Sequence, residues 1–339
     1  MVLLQITIPT FNRAEQLAYC LKSVENALIH LPHELKGKVG IRIHNNSTGS
    51  YHEYSTVIDK YRTIFEDHDV GYFNYVITGF DIGSVSNCCG ALFSSDAEYT
   101  WFLPDDDLAR FDSIHTILRV IIELSPSMIH GGVQHKSSLS YDQIEQPYES
   151  SEDKEVNAVY KSISVDKIVP LFSMNVVQAQ EHVYKTSAIK EVLYNDHYLE
   201  LLNEMCPAFF SIISARSEGP LIFLTQSIGL YRNGEPNSAW RHRWLSLSLQ
   251  TWPLLLRSCL SRALVSIEEL GVGNSVFVGN LAIINYRPDI LLGLRKRYQI
   301  SPVLLFQFYG STYVKVLLLS PYRLLIKVFD KILSKNSRK

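Results

Sequence analysis

Hydrophobic and polar positions follow two alternating patterns in the first 135 residues of this chain. Short β-branched apolar runs are typical of strands buried in a parallel sheet, and the segments between them carry apolar residues at helical spacing. The predicted strands are Leu3–Ile8, Val39–Ile43, Tyr72–Ile77, Tyr99–Leu103 and Met128–Val133. The predicted helices are Ala14–Leu28, Val57–Phe65, Val85–Ser95 and Ile114–Leu124. This alternation predicts an α/β fold with a doubly wound, mostly parallel sheet.

Polar side chains cluster where four of these strands end. The clusters are Thr10–Arg13, Asn45–Ser47, Asp81–Asn87 and Asp105–Asp107. Ligands of doubly wound sheets bind outside the carboxyl ends of the strands, so we expect the clusters to contribute to one site. Thr10 and Asn12 also have side chains suited to capping the helix that follows them.

Three other patterns follow in the rest of the chain. Residues 137–157 are polar and rich in Ser, Glu and Asp without periodicity, which predicts a loop. Residues 165–230 return to a mixed α/β pattern, and from Leu245 onward the pattern is helical. We therefore expect a first domain over residues 1–245 and a helical C-terminal region over residues 246–339.

Charge is distributed unevenly along the chain. The formal net charge is −2, yet residues 287–339 hold 11 Lys and Arg against 2 Asp and Glu. Within this segment, basic residues recur at every fourth position opposite an apolar face, namely Arg323, Lys327, Lys331 and Lys335. The pattern predicts a basic amphipathic helix that contacts an anionic membrane surface. The alternative is a helix that packs its apolar face on its own domain or in a dimer.

Composition excludes several classes of protein. With 46% hydrophobic residues, the chain has enough apolar material for a full core and is not disordered. Its near-neutral charge disfavours a nucleic-acid-binding protein. The five cysteines form no CxxC pair, no apolar run reaches ~20 residues, and Met1 leads directly into a strand. We therefore expect a cytoplasmic protein, peripheral on the inner face of the membrane at most, with no signal peptide and no membrane span.

The strongest chemical signal is the run Asp105–Asp107, which directly follows an apolar strand. Three adjacent carboxylates repel one another, and burial increases this cost. Mg²⁺ or Mn²⁺ would relieve it, because these ions prefer oxygen ligands and bind through one or two carboxylates together with substrate phosphates. Asp105 and Asp107 form an Asp-x-Asp pair suited to this chemistry. The alternative is a solvated acidic helix N-terminus.

Four motifs follow one another along residues 3–135. They are Ile6-Thr-Ile-Pro-Thr-Phe-Asn-Arg13, Asn45-Asn-Ser-Thr48, Gly83 with Asn87 and Gly90, and Tyr99-Thr-Trp-Phe-Leu-Pro-Asp-Asp-Asp107. In this order and spacing they resemble the family 2 glycosyltransferases, which have the GT-A fold and use nucleotide-diphosphate sugars. The form of the last motif is similar to the bacterial branch of abequosyltransferase-like enzymes of surface-polysaccharide assembly.

The resemblance implies roles for the matching positions. Residues expected to bind the donor are Pro9, Thr10, Asn12, Arg13, Asn45, Ser47, Asn87 and Asp106. Asp105 and Asp107 are expected to hold Mn²⁺ or Mg²⁺ against the donor diphosphate. The family usually has acidic residues on both sides of the second motif, where this chain has His44 and Gly49. The nucleotide base therefore does not follow from the resemblance.

The resemblance also implies a carboxylate that deprotonates the acceptor hydroxyl. Family members supply it from a Glu-Asp pair on a later helix, and Glu204 is the nearest match in this chain, without the Asp. Asp196, His197 and Glu200 are nearby competitors. The alternative for Glu204 is an exposed helical residue.

Two further groups of residues have both a chemical and a structural interpretation. Arg241 and His242 lie in a Gly- and Pro-bearing loop with two tryptophans and are expected to close over the donor diphosphate, because guanidinium groups pair with phosphate. The alternative is a surface loop with solvated arginines. His182 is either near the acceptor or structural, and the adjacent Cys88 and Cys89 are interpreted as packing residues.

Together these features predict a metal-dependent, inverting glycosyltransferase of surface-polysaccharide or O-antigen biosynthesis. It would move a hexosyl or deoxyhexosyl group to a saccharide acceptor, expected to be polyisoprenyl-linked. A nucleotidyltransferase also places carboxylates and a metal at a strand end, but normally has a Gly-rich loop after its first strand, and Pro9–Arg13 has no glycine. A non-catalytic saccharide-binding or scaffold protein on the same fold is the other alternative, favoured by the missing Asp beside Glu204.

Overall fold

A computed structural model describes the fold of most of the first 232 residues. The described ranges are 1–49, 51–131, 133–136, 160–163, 181–194, 206–214, 217–224 and 227–232. All of them belong to one compact unit. The predicted loop at 137–157, the domain boundary after residue 245 and the basic helix lie outside the described residues and stay predictions.

Strands and helices alternate through most of the described chain. The strands are β1 (Leu4–Thr10), β2 (Val39–Asn45), β3 (Tyr72–Ile77), β4 (Tyr99–Phe102), β5 (Leu108–Ala109), β6 (Met128–His130), β7 (Val133–Lys136), β8 (Tyr160–Ile163), β9 (His182–Lys185), β10 (Leu221–Leu224) and β11 (Gly229–Arg232). The helices are α1 (Ala14–Ile29), α2 (His33–Lys36), α3 (Tyr51–Asp67), α4 (Ser84–Phe93), α5 (Ser113–Leu124), α6 (Thr186–Tyr194) and α7 (Cys206–Ser214). Within these described elements, no helix is long and apolar enough to cross a membrane.

The described strands form a large sheet and a small one. The large sheet has the order β3-β2-β1-β4-β9-β6-β10-β8, and the small one has the order β5-β11-β7. Strands β3, β2, β1 and β4 are mutually parallel, whereas β9 runs antiparallel to both of its neighbours, β4 and β6. The predicted α/β class with a mostly parallel sheet is confirmed. The position of β1 between β2 and β4 brings the ends of three strands to one edge.

Strand β1 lies in the core and is buried on both faces. Leu4, Ile6 and Ile8 on one face are fully buried, and so are Gln5 and Thr7 on the other. A strand covered on both sides is typical of a sheet with helices on both faces. Each fully buried Leu or Ile side chain contributes about 1.5–3 kcal/mol to folding.

One predicted strand is wrong in its extent. The apolar run Met128–Val133 is divided between β6 in the large sheet and β7 in the small sheet. Gly131 stands between the two, where a Cβ atom would lie 2.6 Å from the side chain of Ile228. The chain therefore changes sheets at a position that has no room for a larger side chain.

Candidate functional site

The segments that follow β1, β2 and β4 meet at one edge of the large sheet, called the donor edge below. Thr10 at the end of β1 is paired in register with Asn45 at the end of β2. The pairing continues past the strands, because the N–H of Asn46 donates to the carbonyl of Thr10 at 3.0 Å. On the other side, the N–H of Leu103 donates to the carbonyl of Thr7 at 3.0 Å. Backbone hydrogen bonds between neighbouring strands therefore bring together the first, second and fourth polar clusters, as expected.

A buried tyrosine that the sequence analysis missed connects two of these segments. Tyr54 lies on α3 and is fully buried. The N–H of Arg13 donates to its phenolic oxygen at 2.8 Å, and the hydroxyl of Ser47 donates to it at 3.3 Å. Because both of these groups donate to Tyr54, the phenolic O–H itself can donate to Oγ1 of Thr10, 2.8 Å away. One hydroxyl thus holds the loops after β1 and β2 together.

The loop after β1 does not cap α1 with a side chain. Arg13 is the N-cap residue of α1 and makes no side-chain capping bond. The suggested capping by Thr10 or Asn12 is therefore wrong. The hydroxyl of Thr10 is engaged by Tyr54, and Asn12 adopts a left-handed φ of 54° while its backbone N–H donates to Oγ of Ser47 at 2.7 Å. This geometry turns the loop toward the end of β2.

Pro9, also expected to bind the donor, is the partly buried penultimate residue of β1.

The loop after β2 is ordered by its own amide side chains. Nδ2 of Asn45 donates to the hydroxyl of Tyr75 at 2.7 Å, and Oδ1 accepts from the N–H of Ser47 at 2.9 Å. Nδ2 of Asn46 donates to Oδ1 of Asp81 at 2.8 Å, which ties this loop to the segment before α4. Asp81 was noted only as part of a polar cluster. Its carboxylate joins the second and third clusters.

The three aspartates, Asp105, Asp106 and Asp107, form the acidic part of the donor edge. Asp105 and Asp107 are buried, and Asp106 is half-buried. Nη1 of Arg13 lies 2.7 Å from Oδ2 of Asp106 and 3.3 Å from Oδ1 of Asp105. Burial, followed by the charge of Asp106, raises the pKa of Asp105 to about 7. The single positive charge of Arg13 therefore neutralises only part of the negative charge of this cluster.

The carboxylates of this cluster suit a divalent cation. Oδ2 of Asp105 is buried and has no hydrogen-bond partner among the described residues. A buried carboxylate oxygen without a donor is unfavourable, and a cation satisfies it. Asp107 is held two positions away in a tight turn, in which its N–H donates to the carbonyl of Pro104 at 3.1 Å. The unpartnered oxygen of Asp105 therefore fits a cation, while Arg13 pairs with the other oxygen of that carboxylate and with Asp106.

The side chains of His44 and Asn87 lie between β2 and α4. Nε2 of His44 is 2.9 Å from Oγ of Ser94, and Nδ2 of Asn87 donates to the carbonyl of His44 at 3.4 Å. Burial and the nearby charge of Arg42 lower the pKa of His44 to about 4. His44 is therefore a neutral, buried residue that anchors α4. Oδ1 of Asn87 is buried with no hydrogen-bond partner among the described residues.

Three predicted site residues fall outside the described ranges. They are the candidate base Glu204 and the loop residues Arg241 and His242. Their roles stay predictions. Cys88 and Cys89 are partly buried on α4 and do not form a disulfide.

Comparisons with known proteins give a fold but not a family. No protein-family model and no curated protein matches the chain. Among solved structures, S. aureus TarS 1-349 aligns with a TM-score of 0.57 and 13% identity over 84% of this chain and 73% of that one. Its complex with UDP aligns with a TM-score of 0.55 and 13% identity over 83% and 71%.

A second protein has the same fold. The mannosyltransferase PcManGT from Pyrobaculum calidifontis, in complex with GDP-Man and Mn²⁺, aligns with a TM-score of 0.51 and 10% identity over 94% of this chain and 87% of that one. Such low identities establish the fold alone. They confirm the predicted GT-A-like architecture, whereas the abequosyltransferase-like branch stays a prediction.

Proposed function

We propose that this protein is a glycosyltransferase that moves a sugar from a nucleotide-diphosphate donor to a saccharide acceptor. One observation carries the proposal. The loops after β1, β2 and β4 converge at one edge of a GT-A-like sheet, and the last of them presents buried carboxylates. The solved neighbours support it, because TarS has been crystallised with UDP-GlcNAc and PcManGT with GDP-Man.

The proposed donor site uses both sides of this edge. Thr10, Asn12 and Ser47 lie in the loops joined by Tyr54, where the nucleoside would bind. Asp105 and Asp107 would hold Mn²⁺ or Mg²⁺ against the diphosphate. When bound, this ion would neutralise the charge that develops on the leaving nucleoside diphosphate.

The proposed reaction is a single displacement with inversion at the anomeric carbon. The acceptor hydroxyl oxygen forms a bond to that carbon, while the bond from that carbon to the diphosphate oxygen breaks. The hydroxyl proton passes to a carboxylate of the protein, and the nucleoside diphosphate leaves with the bonding electron pair. Glu204 is the candidate base. Asp106 keeps Arg13 beside the diphosphate side of the site through its 2.7 Å ion pair.

The acceptor and the location of the reaction belong to the same proposal. We infer a polyisoprenyl-linked saccharide of surface-polysaccharide or O-antigen assembly, with transfer of a hexosyl or deoxyhexosyl group on the cytoplasmic face of the membrane. The basic amphipathic pattern from Arg323 to Lys335 supports this location, because a basic helix is attracted to anionic lipids.

Nucleotide binding tests the proposal on the full-length protein. Thermal unfolding is followed with UDP, GDP, CDP and dTDP, each with Mn²⁺ or with EDTA. A ligand that binds only the native state raises the stability by about 2.7 kcal/mol at a hundredfold excess over Kd. We expect one nucleotide to stabilise the protein in a Mn²⁺-dependent way, and Asp107→Asn to abolish this effect. Asp96→Asn removes a carboxylate that is 74% exposed and serves as the matched control.

The products separate the alternatives once the nucleotide is known. Release of nucleoside diphosphate from the matching nucleotide sugar supports sugar transfer. Release of pyrophosphate from a nucleoside triphosphate and a sugar phosphate would instead show a nucleotidyltransferase. Absence of any nucleotide-dependent shift would contradict the proposal and favour a non-catalytic scaffold.

A further inference from the structure

Three side chains of metal-ligating types lie between β6 and β9, on the far side of β4 from β1 and at the same edge of the large sheet as the end of β4, because Val183 of β9 pairs with Trp101 of β4. His130 ends β6 and His182 begins β9, and the two residues are direct partners in the antiparallel register. Glu181 immediately precedes β9, and its carbonyl accepts the N–H of Gly131 at 2.9 Å. We call these three side chains, His130, Glu181 and His182, the histidine cluster.

The distances in the histidine cluster match those between ligands of one metal ion. Nδ1 of His130 lies 3.2 Å from Nε2 of His182. In a tetrahedral zinc site with Zn–N bonds of about 2.0–2.1 Å, two ligand nitrogens are about 3.3 Å apart. One atom from each of the three side chains lies within 4.8 Å of the others. The imidazoles are therefore already at ligand spacing, and the carboxylate oxygen needs to approach by up to about 1.5 Å.

The carboxylate provides an independent reason to expect a cation. Glu181 is 3% exposed, and its Oε2 is buried with no hydrogen-bond partner among the described residues. Such an oxygen is unfavourable in the interior unless a proton or a cation satisfies it. His182 beside it is fully buried, and His130 is partly buried.

We propose that the histidine cluster is a second divalent-metal site, which takes Zn²⁺ or a similar transition-metal ion. Two imidazole nitrogens and one carboxylate oxygen are ligands typical of zinc, whereas Mg²⁺ and Mn²⁺ prefer the oxygen ligands of the donor edge. The bound ion links residues that are 52 positions apart in the chain and fixes the start of the antiparallel strand β9 against β6. It therefore stabilises the pairing of these two strands.

Zinc binding to the metal-free, full-length protein tests the proposal. The affinity for Zn²⁺ and the visible absorption of bound Co²⁺ are compared in the wild type, His130→Gln and Glu181→Gln. We expect one tight zinc ion per chain in the wild type and at least tenfold weaker binding in both variants. His44→Gln is the matched control, because it removes a buried histidine elsewhere in the sheet and should leave the zinc affinity unchanged.

A ligand exchange gives a second readout that does not depend on loss of binding. His130→Cys replaces one imidazole by a thiolate, so Co²⁺ bound in the cluster should acquire a sulfur-to-metal charge-transfer band. Wild-type zinc affinity in both His130→Gln and Glu181→Gln would overturn the proposal. So would a His130→Cys protein that binds Co²⁺ without the new band. Either result would leave a direct hydrogen bond between the two rings as the explanation of the short distance.

Discussion

Replacing Tyr54 by Phe removes one hydroxyl from the centre of the donor edge and leaves the volume of the core almost unchanged. That hydroxyl contacts Thr10 and the N–H of Arg13 at 2.8 Å each, and Ser47 at 3.3 Å. The two hydroxyl partners can rotate toward other groups in the variant. The backbone N–H of Arg13 cannot, and it loses its acceptor.

The size of the effect follows from these three contacts. A hydrogen bond contributes about 0.5–1.5 kcal/mol net, and a buried donor left without a partner costs about 1–3 kcal/mol. We therefore expect Tyr54→Phe to lower the free energy of unfolding by about 2–3 kcal/mol. The loops after β1 and β2 also lose their common anchor, so we expect the nucleotide affinity to fall by about fivefold, equivalent to ~1 kcal/mol.

Tyr61→Phe is the matched control for this experiment. Tyr61 lies on the same helix and is 2% exposed, and its hydroxyl donates to the carbonyl of Ala18 at 3.0 Å. Its loss should cost about 1 kcal/mol and leave the nucleotide affinity unchanged. Urea denaturation measures the stability and calorimetry the affinity. If Tyr54→Phe destabilises the protein no more than Tyr61→Phe and binds nucleotide as tightly as the wild type, Tyr54 does not anchor these loops.

Three further predictions concern stability and metal binding. Burial lowers the pKa of His44 to about 4, so on acidification the unfolded chain binds a proton at this residue before the folded protein does. From pH 7 to pH 5 the free energy of unfolding of the wild type should therefore fall by about 2 kcal/mol more than that of His44→Gln, as measured by urea denaturation at each pH. Gly131→Ala places a Cβ atom 2.6 Å from the Ile228 side chain, so it should destabilise the protein by about 1–3 kcal/mol, and less in an Ile228→Ala background. Arg13→Gln removes the guanidinium that competes for the carboxylates of Asp105 and Asp106, so calorimetry without nucleotide should show tighter Mn²⁺ binding; unchanged or weaker binding would contradict this.

The parallel half of the sheet could be predicted because its strands are buried on both faces. In β1, Leu4, Ile6 and Ile8 are buried on one side and Gln5 and Thr7 on the other. The apolar and β-branched residues of this segment predicted a strand over Leu3–Ile8, two residues short of its observed end at Thr10. The polar residues after β1, β2 and β4 could then be assigned to one edge by topology alone. An apolar run does not encode its direction, however, so neither the antiparallel course of β9 nor the division of Met128–Val133 between two sheets could be predicted.

The hydrogen-bond network around Tyr54 could not be predicted from the sequence. Tyr54 lies at helical spacing before Ile58 and Tyr61, which are also buried, so the apolar pattern of α3 extends back to it. The predicted helix began at Val57, six residues after the observed start of α3 at Tyr51, and so left Tyr54 out. The contacts of Tyr54 depend on hydrogen bonds between residues far apart in the chain.

We propose above all that the aspartates at the donor edge hold a cation against the diphosphate of a nucleotide. A crystal soaked with Mn²⁺ and the nucleotide that binds in solution, measured for the anomalous signal of manganese, tests it most directly. The account predicts a manganese peak bound to Asp105 and Asp107, with the phosphates of the nucleotide on the same ion. Nucleotide bound elsewhere on the protein, or at this edge without manganese, would contradict it.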